Sequence, residues 1–94
     1  MPAPGLLASD KEVINETISV KLYPNPTSDY VIIESNMTIH DIEIYNLSGQ
    51  LVQQVKQNKS ERIQLDVSNL TAGLYLVKIS NESNMQTIRL SVNN

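Results

Sequence analysis

The sequence predicts an all-β fold, a small antiparallel β-sandwich of seven strands. Three observations lead there. Apolar residues alternate with polar ones in seven short segments of similar length and spacing. Clusters of Asn, Ser, Thr, Gly and Pro separate those segments, and no stretch carries the period of a helix of ordinary length. The apolar inventory is Ile, Val and Leu beside four tyrosines, with no Phe and no Trp, a mixture that suits strands. A small barrel is the other architecture this pattern allows.

Residues 1–17 hold Pro2, Pro4, Gly5 and the polar runs Ser9-Asp10-Lys11-Glu12 and Asn15-Glu16, which is the composition of a flexible linker or an expression remnant. Ser9–Ile14 allows a short helix. The folded unit is expected over 18–94. Its first strand is Ile18-Ser19-Val20-Lys21-Leu22, apolar at every second position. Pro24 and Pro26 then flank Asn25; two fixed φ angles and two missing donors make a rigid corner where no strand continues.

Thr27-Ser28-Asp29 is turn material, and a second strand follows from Tyr30 to Ser35 with Val31 and Ile33 on one face. Asn36-Met37-Thr38 reads as a turn, and Ile39–Asn46 as a third strand in which Ile42 and Ile44 point inward. Asn46-Leu47-Ser48-Gly49-Gln50 is a hairpin, with Gly49 supplying the positive φ of a tight turn or G1 bulge. Gln50–Lys56 is the fourth strand; Leu51, Val52 and Val55 break alternation and predict a bulge.

After a turn at Gln57–Ser60, Glu61–Val67 alternates with Ile63, Leu65 and Val67 inward. In Val67–Gly73, Ser68 is expected to cap one helical turn, Leu70 to plug the core edge and Gly73 to release the chain. Leu74–Ser80 places Tyr75, Val77 and Ile79 on one face. A turn at Asn81–Asn84 leads to Met85–Val92, with Ile88, Leu90 and Val92 together. Tyr30 and Tyr75 are expected to pack inside, and Tyr45 to project from a polar face.

A chain of 94 residues makes one domain near the small end of what folds alone. Net charge is −3 with no Lys/Arg cluster, which argues against nucleic acid as a partner. Without cysteine, neither disulfides nor thiol chemistry enter. No apolar run approaches the roughly 20 residues of a membrane helix, and residues 1–7 lack the basic start of a secretory signal.

Catalysis has little material. His40 is the only histidine and is expected as a solvated edge residue. Asp29, Glu34, Asp41, Glu43, Glu61, Asp66 and Glu82 are scattered, Asp41 and Glu43 deterring edge pairing. Neither catalytic, cofactor-binding nor metal-ligating residues are expected. Asn-x-Ser/Thr occurs at Asn15, Asn36, Asn46, Asn58, Asn69 and Asn81. Turn chemistry enriches the same residue types in short loops and accounts for the count better than glycan acceptors do.

Three motifs take the reading further. Leu22-Tyr23-Pro24-Asn25-Pro26-Thr27-Ser28-Asp29-Tyr30-Val31-Ile32-Ile33 comes first. Ile42-Glu43-Ile44-Tyr45-Asn46-Leu47-Ser48-Gly49-Gln50-Leu51-Val52 comes second. Leu65-Asp66-Val67-Ser68-Asn69-Leu70-Thr71-Ala72-Gly73-Leu74-Tyr75-Leu76-Val77-Lys78-Ile79 comes third. In this order, over residues 18–92, they resemble the type A C-terminal sorting domain of the type IX secretion system.

The resemblance implies an immunoglobulin-like sandwich without catalysis or cofactor. It would direct an upstream cargo protein across the outer membrane, through the periplasm to the cell surface or beyond. Implied partners are the translocon and its shuttle components, a cell-surface sortase-like peptidase that removes the domain, and the cargo itself. Within the motifs, candidate recognition residues are Pro24, Asn25, Pro26, Gly49, Gly73, Tyr75 and Lys78. The last strand and tail, important in that family, add Arg89, Val92, Asn93 and Asn94; a basic residue often stands near the family's end, where this sequence reads Val92-Asn93-Asn94.

A sandwich with an extended last strand offers an edge for strand addition or a tail for capture. An adhesive or carbohydrate-binding module is the rival reading, for which one exposed Tyr45 is a poor sugar shelf. A spacer domain is the third.

Overall fold

The computed structural model describes residues 19–56 and 59–93. The expected linker over 1–17, the first residue of the first strand, Gln57-Asn58 and Asn94 lie outside the described residues. Seven strands follow in order: β1 Val20–Tyr23, β2 Tyr30–Ile39, β3 Asp41–Asn46, β4 Leu51–Val55, β5 Ser60–Asp66, β6 Gly73–Ser80 and β7 Met85–Val92. They form two antiparallel sheets, β1-β2-β5 and β4-β3-β6-β7. No helix occurs among the described residues.

The core lies between the sheets and follows the alternation. Val31, Ile33, Ile63 and Leu65 from the smaller sheet meet Ile42, Ile44, Tyr75, Val77, Ile79, Leu90 and Val92 from the larger, with Val67 and Leu70 closing one end. Ile88 packs against this cluster only partly buried. Ile32 faces the other way, yet is 9% exposed; on that outer face it lies between its cross-strand partners Tyr23 and Gln64.

Four local expectations need correction. Asn36-Met37-Thr38 does not turn the chain: β2 runs on to Ile39, irregular in register between Glu34 and Ile39. The side chains expected to form the turn bond backbone groups instead, Ser35 Oγ accepting the Met37 N–H locally at 3.0 Å and Asn36 Oδ1 accepting the Ser19 N–H across the strands at 2.8 Å. The chain changes sheets at His40, whose N–H reaches the Ser80 carbonyl at 3.0 Å.

The stretch after Val67 is a β-turn closed by Leu70 N–H on the Val67 carbonyl at 3.0 Å, not a helical turn. Asp66, not Ser68, caps it; its Oδ1 accepts the Ser68 N–H at 2.9 Å and hydroxyl at 2.6 Å. Tyr30 is 42% exposed rather than packed inside: β2 begins with its even positions facing out, so Tyr30 falls on the side of Ile32. Gln50 belongs to the hairpin, and β4 starts at Leu51.

The bulge in β4 is present. Ile44 pairs with Gln53 and Tyr45 with Leu51, leaving Val52 as the extra residue.

Candidate functional site

Strand polarity brings the three motifs to one end of the sandwich. There β1 gives way to the corner, β2 begins, the 46–50 hairpin turns, the 67–72 loop crosses between sheets, and β7 finishes. The opposite end holds Ser19, Thr38 and the Asn81–Asn84 turn, where Asn81 Nδ2 donates to the Thr38 carbonyl at 3.2 Å.

The corner is built against the last strand. Both Tyr23-Pro24 and Asn25-Pro26 peptide bonds are cis. Between the prolines, the Asn25 amide lies along the outer edge of β7. Its Nδ2 donates to the Arg89 carbonyl and its Oδ1 accepts the Ser91 N–H, both at 3.0 Å. An asparagine side chain has the donor and acceptor of a peptide unit, so here it stands in for a neighbouring strand.

The backbone takes over two residues later. Thr27 N–H donates to the Ser91 carbonyl at 2.9 Å, and Asn93 N–H donates to the Thr27 carbonyl at 2.7 Å, a parallel bridge. Thr27 itself is the one buried polar residue among those described, its hydroxyl bonded to the Tyr30 carbonyl. Pro24, Pro26, Thr27, Tyr30 and Asn93 line a shallow open recess beside this junction.

The second motif is held by Asn46. Its Oδ1 accepts the N–H groups of Ser48 and Gln50, each at 3.0 Å, and its Nδ2 reaches Gln50 Oε1 at 2.8 Å. Gly49, at φ +90°, completes a type I turn with a G1 bulge, its N–H on the Asn46 carbonyl at 3.0 Å. The third motif docks beside it. Tyr75 is buried at the start of β6 and its hydroxyl donates back to the Thr71 carbonyl at 2.6 Å. A tyrosine at that place, tying down the loop before it, is a tyrosine corner of immunoglobulin-like sandwiches. Gly73, at φ +152°, lies opposite Val92.

Of the candidate residues, Pro24, Asn25, Pro26, Arg89, Val92 and Asn93 thus meet at one junction, Gly73 adjoins it, and Gly49 sits in a neighbouring loop. Lys78 stands apart on the outer face of the larger sheet, 3.8 Å from Glu43. Asn94 lies outside the described residues. Sequence reasoning missed Thr27, whose burial and bridging role had no signal beyond its place after Pro26. It also missed Gln53, whose amide donates to the Asp66 carbonyl at 3.0 Å and ties β4 to β5.

Charge at this end is modest. Two bonds from Ser68 hold the Asp66 carboxyl below the usual aspartate range, the side-chain bond contributing most. On the outer face, the hydrogen bond from Tyr45 to Glu43, 2.8 Å, pushes the phenol up. A cluster of three or more potential metal ligands does not occur among the described residues. The end presents a shaped surface and the backbone groups of its ladders.

Residues 21–93 match the family described as the secretion system C-terminal sorting domain. The chain is also similar to the ulvan lyase NLR42 of Nonlabens ulvanivorans, 36% identical over 78 residues, covering 80% of this chain and 14% of that protein.

Proposed function

The chain belongs to the secretion system C-terminal sorting domains, and from that premise we propose that the end of the sandwich carrying the corner, the hairpin and the β7 terminus is the surface its machinery reads. The domain is a type IX sorting signal, and its destination is the cell surface or the extracellular space. Its role implies contact with that secretion machinery and with an upstream cargo.

The finer reading is as follows. The domain is not itself an enzyme. It spans 18–94, and residues 1–17 link it to a cargo and carry the site at which a sortase-like peptidase cuts. Translocon and shuttle components contact Pro24, Pro26, Asn93 and the neighbouring loops. The observation that supports this most is the gathering of turns from three sequence-distant motifs at one end of the sandwich, with the corner bonded to the last strand.

Fusing residues 17–94 behind a soluble periplasmic reporter, in a host with this secretion system, should send the reporter outside the cell. Removing Ile88–Asn94 should keep it periplasmic, because Leu90 and Val92 leave the core. Removing only Asn93 and Asn94 spares the core residues Leu90 and Val92 and takes away the bond from the Asn93 N–H to Thr27. Export lost with a normal melting curve would place the signal in the tail. Failure of the intact domain to export would overturn the assignment and favour a glycan-binding module.

A further inference from the structure

We propose that the outer face of the smaller sheet carries a saccharide subsite, where Tyr23 and Tyr30 stack on a neutral pyranose ring of a polysaccharide and Gln64 bonds its hydroxyls. The inference goes beyond the sorting reading and does not depend on it.

The strand register puts two tyrosines on that face. Tyr23 lies opposite Ile32 across β1 and β2, and Ile32 lies opposite Gln64 across β2 and β5. Directly opposed residues of an antiparallel pair share a face. Two residues back along β2, Tyr30 stands on it too, opposite Asp66. Tyr23 and Tyr30 are therefore diagonal neighbours, about 7–8 Å apart at the backbone. Both are open to solvent, 38% and 42% exposed. The Tyr23 hydroxyl donates to Glu34 Oε1 at 3.1 Å, which tethers that ring to the face.

Polar groups stand beside the rings. An open recess next to Tyr30 is lined by Asp29, Gln64, Asp66 and Ser68. The Gln64 amide is exposed and has no partner among the described residues, and it offers donors and an acceptor together. Both bonds from Ser68 fall on Asp66 Oδ1, which leaves Oδ2 for a hydroxyl.

A pyranose has the matching surface: a C–H face for the negative faces of the rings, and a girdle of hydroxyls that both donate and accept. Size points the same way. Tyr23 to Gln64 spans two strand spacings and the two tyrosine rows are one side-chain repeat apart, about 10 by 7 Å. That holds one or two sugar rings and is about a tenth of the roughly 800 Å² a stable protein partner covers. The next row on the face is Lys21, Glu34 and Arg62, and charged residues are depleted at the centre of protein interfaces. A sheet face also lacks the unpaired backbone groups by which an edge holds an extended peptide. Charge then selects among sugars: Asp29 and Asp66 beside Tyr30 repel a uronate or sulfated ring and admit a neutral one.

A nuclear magnetic resonance titration of the 94-residue chain tests this. Cellohexaose, maltohexaose and mannohexaose are the neutral probes, hexagalacturonate the anionic one and hexalysine a basic peptide. At least one neutral probe should shift Tyr23, Tyr30, Ile32 and Gln64 and bind more tightly than hexagalacturonate and hexalysine. Tyr30→Ala should weaken that binding by about tenfold with an unchanged melting midpoint, and Tyr30→Phe should keep it. If Tyr30→Ala melts lower, Gln64→Ala decides: weaker binding supports the subsite and equal binding overturns it. Silence from all three neutral probes overturns the proposal, as do shifts centred on the larger sheet. Equal or tighter binding of hexagalacturonate or hexalysine overturns it too. Shifts at the same residues on diluting the free protein would assign the face to a second copy, against the proposal. Export plays no part in these measurements, so failure of the sorting reading is a separate result.

Discussion

Leu65 is 6% exposed between the sheets, and its truncation leaves a hole that neighbours on two sheets cannot both close. Leu65→Ala should lower stability by about 2–4 kcal/mol in chemical denaturation. An unshifted midpoint would contradict its burial. Gln86 carries the opposite fault: its Oε1 is buried without a hydrogen-bond partner. Gln86→Leu removes an acceptor that folding strips of water, so stability in chemical denaturation should rise by about 1 kcal/mol. Asp66 gives a pH signature. Its carboxyl is more acidic folded than unfolded, so the stability it contributes is present above the usual aspartate value near 3.8 and fades as pH falls through the lower folded value. Asp66→Asn should flatten that part of an acid titration followed by circular dichroism.

Among the elements, alternation made β3, β5, β6 and β7 legible, because a half-buried strand must put every second side chain in the core. The bulge was legible for the same reason: Leu51, Val52 and Val55 cannot all face inward on a regular strand. Asn36-Met37-Thr38 misled because Ser, Asn and Thr satisfy backbone groups equally well in a turn or along a bulged strand. The corner was legible as a stop but not as a clasp, since nothing local announces that an amide at Asn25 will meet Ser91 across 66 positions. At this scale the hairpin offers a clean measurement. Gly49 at φ +90° has open space where a Cβ would go, so Gly49→Ala should lower stability by the backbone term alone, about 1–2 kcal/mol. A neutral outcome would mean the turn can change type.

For the molecule as a whole, the apolar alternation inside and outside the motifs builds the core, while the turn residues of the motifs shape one end of it. Asn25→Ala separates the two, since it removes two bonds to β7 and no core contact. Stability should fall by only about 1 kcal/mol, while exchange at the Ser91 amide should quicken far more than that change explains. The clasp also has a mechanical meaning. The chain comes in beside Asn36, at the end away from the corner, and leaves past Asn93 beside it. A pull between those two points runs along the strands, so Asn25 and Thr27 are loaded in shear against β7, their four bonds sharing the tension instead of parting one after another. A sandwich fastened this way yields slowly to traction, and resistance to forced unfolding is set by that rate rather than by equilibrium stability. Whatever hauls on this end can move the load behind it without unravelling the handle.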